Sequence, residues 1–401
     1  MSGGREAGKI VGVVGAGTMG AGIAQIALEN GHEVVVHDVD AAAMDRGRAR
    51  VREGLARRAG KLDLDADSVD AWVDGRLARL RSAPSLDALA ADVDVVIEAA
   101  LEDLGLKQGI FRALDAGSTG RPDVILATNT SALPVASIAA VTSRPERVLG
   151  LHFFNPAPVM RLVEVVAPPM AAPAAVDRAA ALVTSWGKTA VRCADSPGFI
   201  VNRVNRPYTI EALRLLEAGE ASVEAIDAAL REAGFPMGPF ELVDLAGVDV
   251  NLAAARGVWE GLGRPDRLRP SAIQERLVAE GALGRKAGRG FHVYADGRRT
   301  GVAAPFASSA ALPGGDGIRE RILLAVVNEA FHALGEGVAG ADDIDLALRL
   351  GAAHPAGPFE RAREMGGPDA VLARLEDLAA DHPHLEPAAA LRAAAAIPQG
   401  G

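Results

Sequence analysis

Two groups of residues in this 401-residue sequence have types and spacings that could do chemistry. The first is Gly15-Ala-Gly17-Thr18-Met19-Gly20, followed eighteen residues later by Asp38. Glycines at this spacing permit a tight turn, close approach of backbone to a pyrophosphate, and close helix–strand packing. A helix opening on such a turn presents N–H donors and partial positive charge to phosphates. The second group is His152, with Glu164 twelve residues on. A carboxylate on one imidazole nitrogen fixes the tautomer and supports the cation formed when the other nitrogen takes a proton.

The elements that must position these groups are legible around them. Residues 9–14 read as a short buried strand, and 18–29 turn helical, with Asn30-Gly31 as the stop. A second strand over 34–37 ends at Asp38. In this strand–turn–helix setting the glycine motif predicts dinucleotide binding, with Asp38 accepting from a ribose 2′-hydroxyl. No arginine follows Asp38 directly, so a 2′-phosphate would meet repulsion and NAD is expected rather than NADP. Further strands are expected at 93–97, 124–128, 148–151, 162–166 and 190–193, with helices between most of them. That alternation predicts an α/β domain with a mostly parallel sheet, the Rossmann arrangement, over about 6–194. His152 then falls at the carboxyl end of a strand, where such sheets bind ligands.

Composition bounds the function. Hydrophobic residues make up 49% and charged residues 23%, enough for a sizeable core. A net charge of −10 argues against nucleic acid or an anionic membrane as partner. No apolar run reaches membrane-spanning length, and the N-terminus carries no secretory signal. The single Cys193 excludes an intramolecular disulfide and an all-cysteine metal cage, so no metal and a cytoplasmic address are expected. Of the 42 basic residues only five are lysines, which makes each retained lysine informative.

The pattern changes at Asp195-Ser-Pro-Gly-Phe199. Ser196 before Pro197 predicts a helix start, and helical spacing then continues through Leu215. An all-α domain is expected over 195–295, a linker over 296–316, and a second, degenerate copy of the helical domain over 317–395. The repeat is internal: Glu211-Ala-Leu-Arg-Leu-Leu matches Glu329-Ala-Phe-His-Ala-Leu, and Pro236-Met-Gly-Pro-Phe240 matches Pro355-Ala-Gly-Pro-Phe359. The offset is 118 through the helices and 119 at the turn.

In order and spacing, these motifs resemble the (S)-3-hydroxyacyl-CoA dehydrogenase family. The resemblance runs from Gly15 to Tyr294 through Asn129-Thr-Ser131, His152-Phe-Phe-Asn155-Pro, Leu162-Val-Glu164, Ser196-Pro-Gly-Phe-Ile-Val-Asn202-Arg and Gly284-Arg-Lys-Ala-Gly-Arg-Gly-Phe. It implies NAD-dependent, reversible oxidation of a (3S)-3-hydroxyacyl-CoA, in fatty-acid β-oxidation or related catabolism. Short chains such as 3-hydroxybutyryl are the expected substrates. 3-Hydroxyadipyl-CoA, a carrier-protein-bound hydroxyacyl group, or NAD binding without catalysis are the alternatives. It further implies a catalytic pair at His152 and Glu164, with Ser131 and Asn202 holding the substrate oxygen. Glu102, Lys107 and Asn155 fall on cofactor-contacting positions, and Lys61 on one associated with the CoA moiety. On the residues alone, Ser131 reads as a strand terminator and Asn202 as a surface helix position; only the resemblance assigns them a role. The arginines around Lys61 read as a solvated face, and the family serine near it is Gly54 here. Ala132, Ala287 and His292 also depart from the family pattern.

The second helical copy has Glu320 where the first has Asn202, so it has lost an active-site residue. The resemblance implies an internal stand-in for a dimer partner, leaving either a monomer with an internal pseudo-dimer or a homodimer. Too few residues precede Gly15 for a fused hydratase, so a free-standing dehydrogenase is expected.

Overall fold

A computed structural model describes residues 9–62, 64–306 and 315–396. The expected domain start at residue 6, residues 307–314 of the expected linker, and the last five residues lie outside it. The chain forms two compact units that divide between Ser196 and Pro197. Among the described residues, no helix is long and apolar enough to cross a membrane.

The first unit is built on an eight-stranded sheet of order β3-β2-β1-β4-β5-β6-β7-β8. Its strands are β1 (Ile10–Val14), β2 (Glu33–His37), β3 (Leu80–Ser82), β4 (Val95–Glu98), β5 (Ile125–Thr128), β6 (Val148–Phe153), β7 (Leu162–Ala167) and β8 (Thr189–Ala194). Every neighbouring pair is parallel except β6 with β7. Apolar side chains on these strands are buried because helices cover the sheet, as the run Val11, Val13, Val34, Val95, Ile97 and Ile125 shows. The strand order reverses between β1 and β4, which opens a crevice beyond their carboxyl ends. Strand β3, three residues with two exposed, was not anticipated.

The second unit is mainly helical. Its first helices do not start at Ser196-Pro197 as capping chemistry suggests. Gly198 (φ +79°) and Phe199 (φ +51°) turn the backbone away from helical geometry, and the helix begins at Val201. The expected long helix is also two pieces, Val201–Val204 and Arg206–Glu217, divided at Asn205.

The unit is not all-α: β9 (His292–Ala295) and β10 (Arg298–Val302) form an antiparallel hairpin turning at Asp296-Gly297. Residues 298–302 therefore belong to this hairpin and not to a structureless linker. His292 opens β9 at 1% exposure, its Nδ1 3.2 Å from Asp244 and its Nε2 3.3 Å from Asp227. Burial opposes the imidazolium, but hydrogen bonding and charge from Asp227 and Asp244 outweigh it and raise His292 to about 9.

The sequence repeat is a structural repeat. Asp227 accepts from the Phe240 amide at 2.9 Å, and Asp345 accepts from the Phe359 amide at 2.7 Å. A Cβ on Gly238 would overlap Asp227, as one on Gly357 would overlap Asp345, so both turns require glycine. The single-residue slip falls between each aspartate and its phenylalanine. The copies face each other through helices Arg206–Glu217 and Gly315–Gly335, and the contacts are reciprocal. Arg203 of the first copy pairs with Glu329 and Glu336 of the second. Arg321 of the second pairs with Glu211 and Glu220 of the first. Reciprocity of this kind is what two-fold symmetric surfaces produce.

Candidate active site

The glycine turn sits at the crevice. Gly15 has φ +95°, and a Cβ there would stand 2.7 Å from the Ala99 carbonyl oxygen. A Cβ on Gly20 would stand 1.9 Å from the Gly15 carbonyl, which is why the helix can start so close to the strand. Gly17, by contrast, faces open space. It is the residue before helix Thr18–Glu29, whose first turn carries neither a side-chain cap nor an acid. Thr18 and Met19 therefore open a helix whose end can take a pyrophosphate.

Asp38 follows β2 and accepts from the Ala16 amide at 2.8 Å, tying the glycine turn to the second strand. A cavity of about 380 Å³ opens beside it, lined in part by Ala16, Gly20, Met44, Val51, Leu80 and Pro84. Arg48 and Arg81 also line this cavity, but Arg48 donates to the Leu80 carbonyl and Arg81 pairs with Asp92. Both arginines are thus engaged away from Asp38. The glycine cradle, the uncapped helix and the carboxylate together fit NAD.

Beyond β4 and β5 lies a connected polar network. Lys107, 1% exposed, donates to both oxygens of the fully buried Glu98 at 2.7 and 2.9 Å, and lies 3.4 Å from Glu102. Glu98 also accepts from the Thr128 hydroxyl at 2.7 Å. Glu102 accepts from the Thr130 hydroxyl at 2.6 Å and the Ser131 amide at 2.9 Å. Burial works to raise the pKa of Glu102, but Thr130, Lys107 and the Ser131 amide hold it below the ordinary carboxylate range. Three expected residues, Glu102, Lys107 and Ser131, are thereby brought together. Glu98 was missed, although an acid ending the apolar run Val95-Val-Ile was a signal.

His152 and Glu164 are directly opposed in the antiparallel β6–β7 pair. Nδ1 of His152 lies 2.6 Å from Oε2 of Glu164, with the residues 6% and 0% exposed. A carboxylate can only accept here, so Nδ1 is the donor, and in the neutral imidazole Nε2 keeps the lone pair. Phe154 packs on the imidazole with ring centroids 4.5 Å apart. Asn129 accepts from the Phe153 amide at 2.8 Å and so links β5 to the strand bearing His152. Asn155, in the β6–β7 loop, is exposed.

Two further expected residues lie on other elements. Lys61 is exposed just past helix Ala41–Ala59. A Cβ on Gly54 in that helix would lie 1.9 Å from the Gln25 side chain, so the serine of the family pattern has no room here. Asn202 belongs to the second unit, on helix Val201–Val204, and is partly exposed.

Comparison with known proteins bears on the whole chain. The NAD-binding domain model of 3-hydroxyacyl-CoA dehydrogenases matches residues 10–196. The C-terminal domain model of the same enzymes matches twice, at 198–294 and at 318–396. The chain belongs to the 3-hydroxyacyl-CoA dehydrogenase family.

A 3-hydroxyadipyl-CoA dehydrogenase of Escherichia coli K12 is 36% identical over 92% of this chain and 93% of its own length. A 3-hydroxybutyryl-CoA dehydrogenase of Mycobacterium tuberculosis is 42% identical, covering 71% of this chain and 98% of its own. Among solved structures, a 3-hydroxybutyryl-CoA dehydrogenase from E. coli K12 superposes with a TM-score of 0.86 at 35% identity, covering 96% of this chain and 98% of that one. Family membership makes this 3-hydroxyacyl-CoA dehydrogenase an NAD-dependent oxidoreductase, with a Rossmann-type sheet followed by a helical region carrying the C-terminal domain twice.

Proposed function

We propose that the chain oxidises a short-chain (3S)-3-hydroxyacyl-CoA, with 3-hydroxybutyryl-CoA as reference substrate, and reduces the 3-oxoacyl-CoA in reverse. The observation that carries this reading is the buried His152–Glu164 pair. Glu164 holds the Nδ1 proton, so Nε2 takes the proton of the 3-hydroxyl, and the imidazolium formed is stabilised by the adjoining carboxylate. NAD, when bound, supplies the acceptor for the hydride leaving C3. Gly15, Gly17, Thr18, Met19, Gly20 and Asp38 would hold its adenosine and pyrophosphate, and Glu102, Lys107 and Asn155 its other half. Ser131 is held by Glu102, which accepts from its amide at 2.9 Å and more weakly from its hydroxyl at 3.4 Å. That hydroxyl would turn from Glu102 to donate to the substrate oxygen where charge develops. The role of Asn202, a second donor to that oxygen, rests on the sequence motif alone.

A second reading, 3-hydroxyadipyl-CoA, is favoured by one observation. The E. coli relative matching over nearly the whole of both chains carries that name. Comparing kcat/KM for acetoacetyl-CoA with that for 3-oxoadipyl-CoA decides between them. A strong preference for the dicarboxylic substrate would replace the first reading. The proposed contact of Lys61 with the CoA moiety rests on the family resemblance. Lys61→Glu is expected to raise KM for acyl-CoA and leave that for NADH unchanged.

The second helical copy is proposed to stand in for a partner subunit, its reciprocal ion pairs satisfying the face that would dimerise. A monomer in light scattering is the expected result. The cytoplasmic address rests on the single cysteine and is checked by fractionation.

A further inference from the structure

Lys188 lies in the turn between helix Pro173–Ser185 and β8 and is 8% exposed. Its Nζ donates to three backbone carbonyls: Ala157 at 2.7 Å, Pro158 at 3.3 Å and Met160 at 2.8 Å. All three belong to the loop joining β6 to β7, the strands that bear His152 and Glu164. On its other side this loop lies against helix Thr18–Glu29. A Cβ built on Gly22 of that helix would stand 3.1 Å from Pro158 and 3.2 Å from Ala157. The loop is therefore held between the helix that opens on the glycine turn and one buried ammonium.

The residue type is informative. An ammonium presents three donors from a single compact centre, whereas the planar guanidinium fork does not converge on three carbonyls of one turn. In a chain with only five lysines among 42 basic residues, a lysine at this point reflects the geometry required.

We infer that Lys188 is a positioning residue for the dinucleotide, fixing the 157–160 loop, and Asn155 beside it, against the helix that receives the cofactor. The inference rests on the proposed cofactor role of Asn155. Burial lowers the pKa of Lys188 to about 8, against the pull of Glu29 on the facing helix. Glu29 is itself shared with Gln25 at 2.7 Å and with Arg58 at 3.8 Å. Above that pH the neutral amine keeps two donors and turns a lone pair towards the third carbonyl, so the loop loosens as pH rises.

The test is the Kd of NADH, by fluorescence titration of the full chain between about pH 7 and about 9.5, for wild type, Lys188→Met and Lys188→Arg. Wild type is expected to lose affinity as pH rises through this range. Lys188→Met is expected to bind about tenfold more weakly at neutral pH and to show no further loss, with Lys188→Arg failing to restore binding. At saturating NADH, KM for acetoacetyl-CoA should stay within about twofold of wild type. A folded Lys188→Met with wild-type affinity, or one that keeps the alkaline loss, overturns the inference. If that variant does not fold, Lys188→Gln takes its place, and a folded Lys188→Gln with wild-type NADH affinity overturns the inference. Asn155→Ala tests the underlying reading separately: unchanged NADH affinity there removes Asn155 from the site and overturns the proposed route from Lys188 to the cofactor, even where Lys188→Met weakens binding.

Discussion

Arg203 and Glu329 meet across the two helical copies at 2.8 Å, and Arg321 and Glu211 repeat the meeting at 2.6 Å with the copies exchanged. Each pair is spaced 118 residues from its counterpart, so one gene duplication accounts for both halves of the contact. Arg203 and Glu329 are 0% and 1% exposed, and Glu329 also accepts from Arg267 at 2.7 Å. Removing one partner of a buried pair leaves an uncompensated charge, and that is the costly change.

Glu329→Gln is therefore expected to destabilise the helical unit by about 3 kcal/mol. Glu336→Gln, on the same arginine but 47% exposed, should cost less than about 1 kcal/mol. Urea denaturation measures both. Equal losses would contradict the assignment of the buried pair as the joint between copies.

The glycine turn separates packing from binding. Gly20→Ala places a Cβ 1.9 Å from a carbonyl oxygen, so the turn must shift and Tm should fall together with NADH affinity. Gly17→Ala meets no atom within 4 Å. It should keep the wild-type Tm and weaken NADH about tenfold, by filling the space into which a pyrophosphate must come. Wild-type NADH affinity in Gly17→Ala would move the phosphates elsewhere.

His292 makes stability depend on pH. Its pKa rises from an ordinary 6.5 to about 9 on folding, so its stabilising charge is fully present below about pH 6.5 and disappears as pH rises through 9. The effect is of order 3 kcal/mol. The helical unit of wild type should melt several degrees lower at pH 10 than at pH 7, while His292→Phe is destabilised at neutral pH and nearly flat over the same range. A wild-type Tm that holds steady to pH 10 would show that His292 is neutral when buried.

Much of this architecture was legible in the sequence because the informative residues have few alternatives. Gly15 and Gly20 are tied to one backbone geometry, and short runs such as 93–97 and 148–151, set between helical segments, read as buried strands by their length. His152 and Glu164 were readable as candidates because each falls in an expected strand and on a motif of the family resemblance, but the antiparallel pairing that sets them opposite each other was not legible in the sequence. What escaped is decided by tertiary contact. Strand β3 is three residues long with no apolar pattern, and β10 reads Arg-Arg-Thr-Gly-Val, so only pairing with a neighbour makes either a strand. The Ser196-Pro197 cap signal was overridden by the positive φ angles at Gly198 and Phe199. Glu98 and Lys188 are single charged residues in apolar surroundings, and spacing alone does not show what they hold.

The central claim is that His152 moves the proton while Glu164 holds it in place. Its most direct test is NADH oxidation by acetoacetyl-CoA, followed by loss of NADH absorbance, for wild type, His152→Ala and Glu164→Gln, with the NADH Kd measured alongside. The account predicts rapid wild-type turnover, a fall of at least about a hundredfold in kcat for His152→Ala, a smaller fall for Glu164→Gln, and an unchanged NADH Kd in both. A His152→Ala variant that turns over at near the wild-type rate would contradict it.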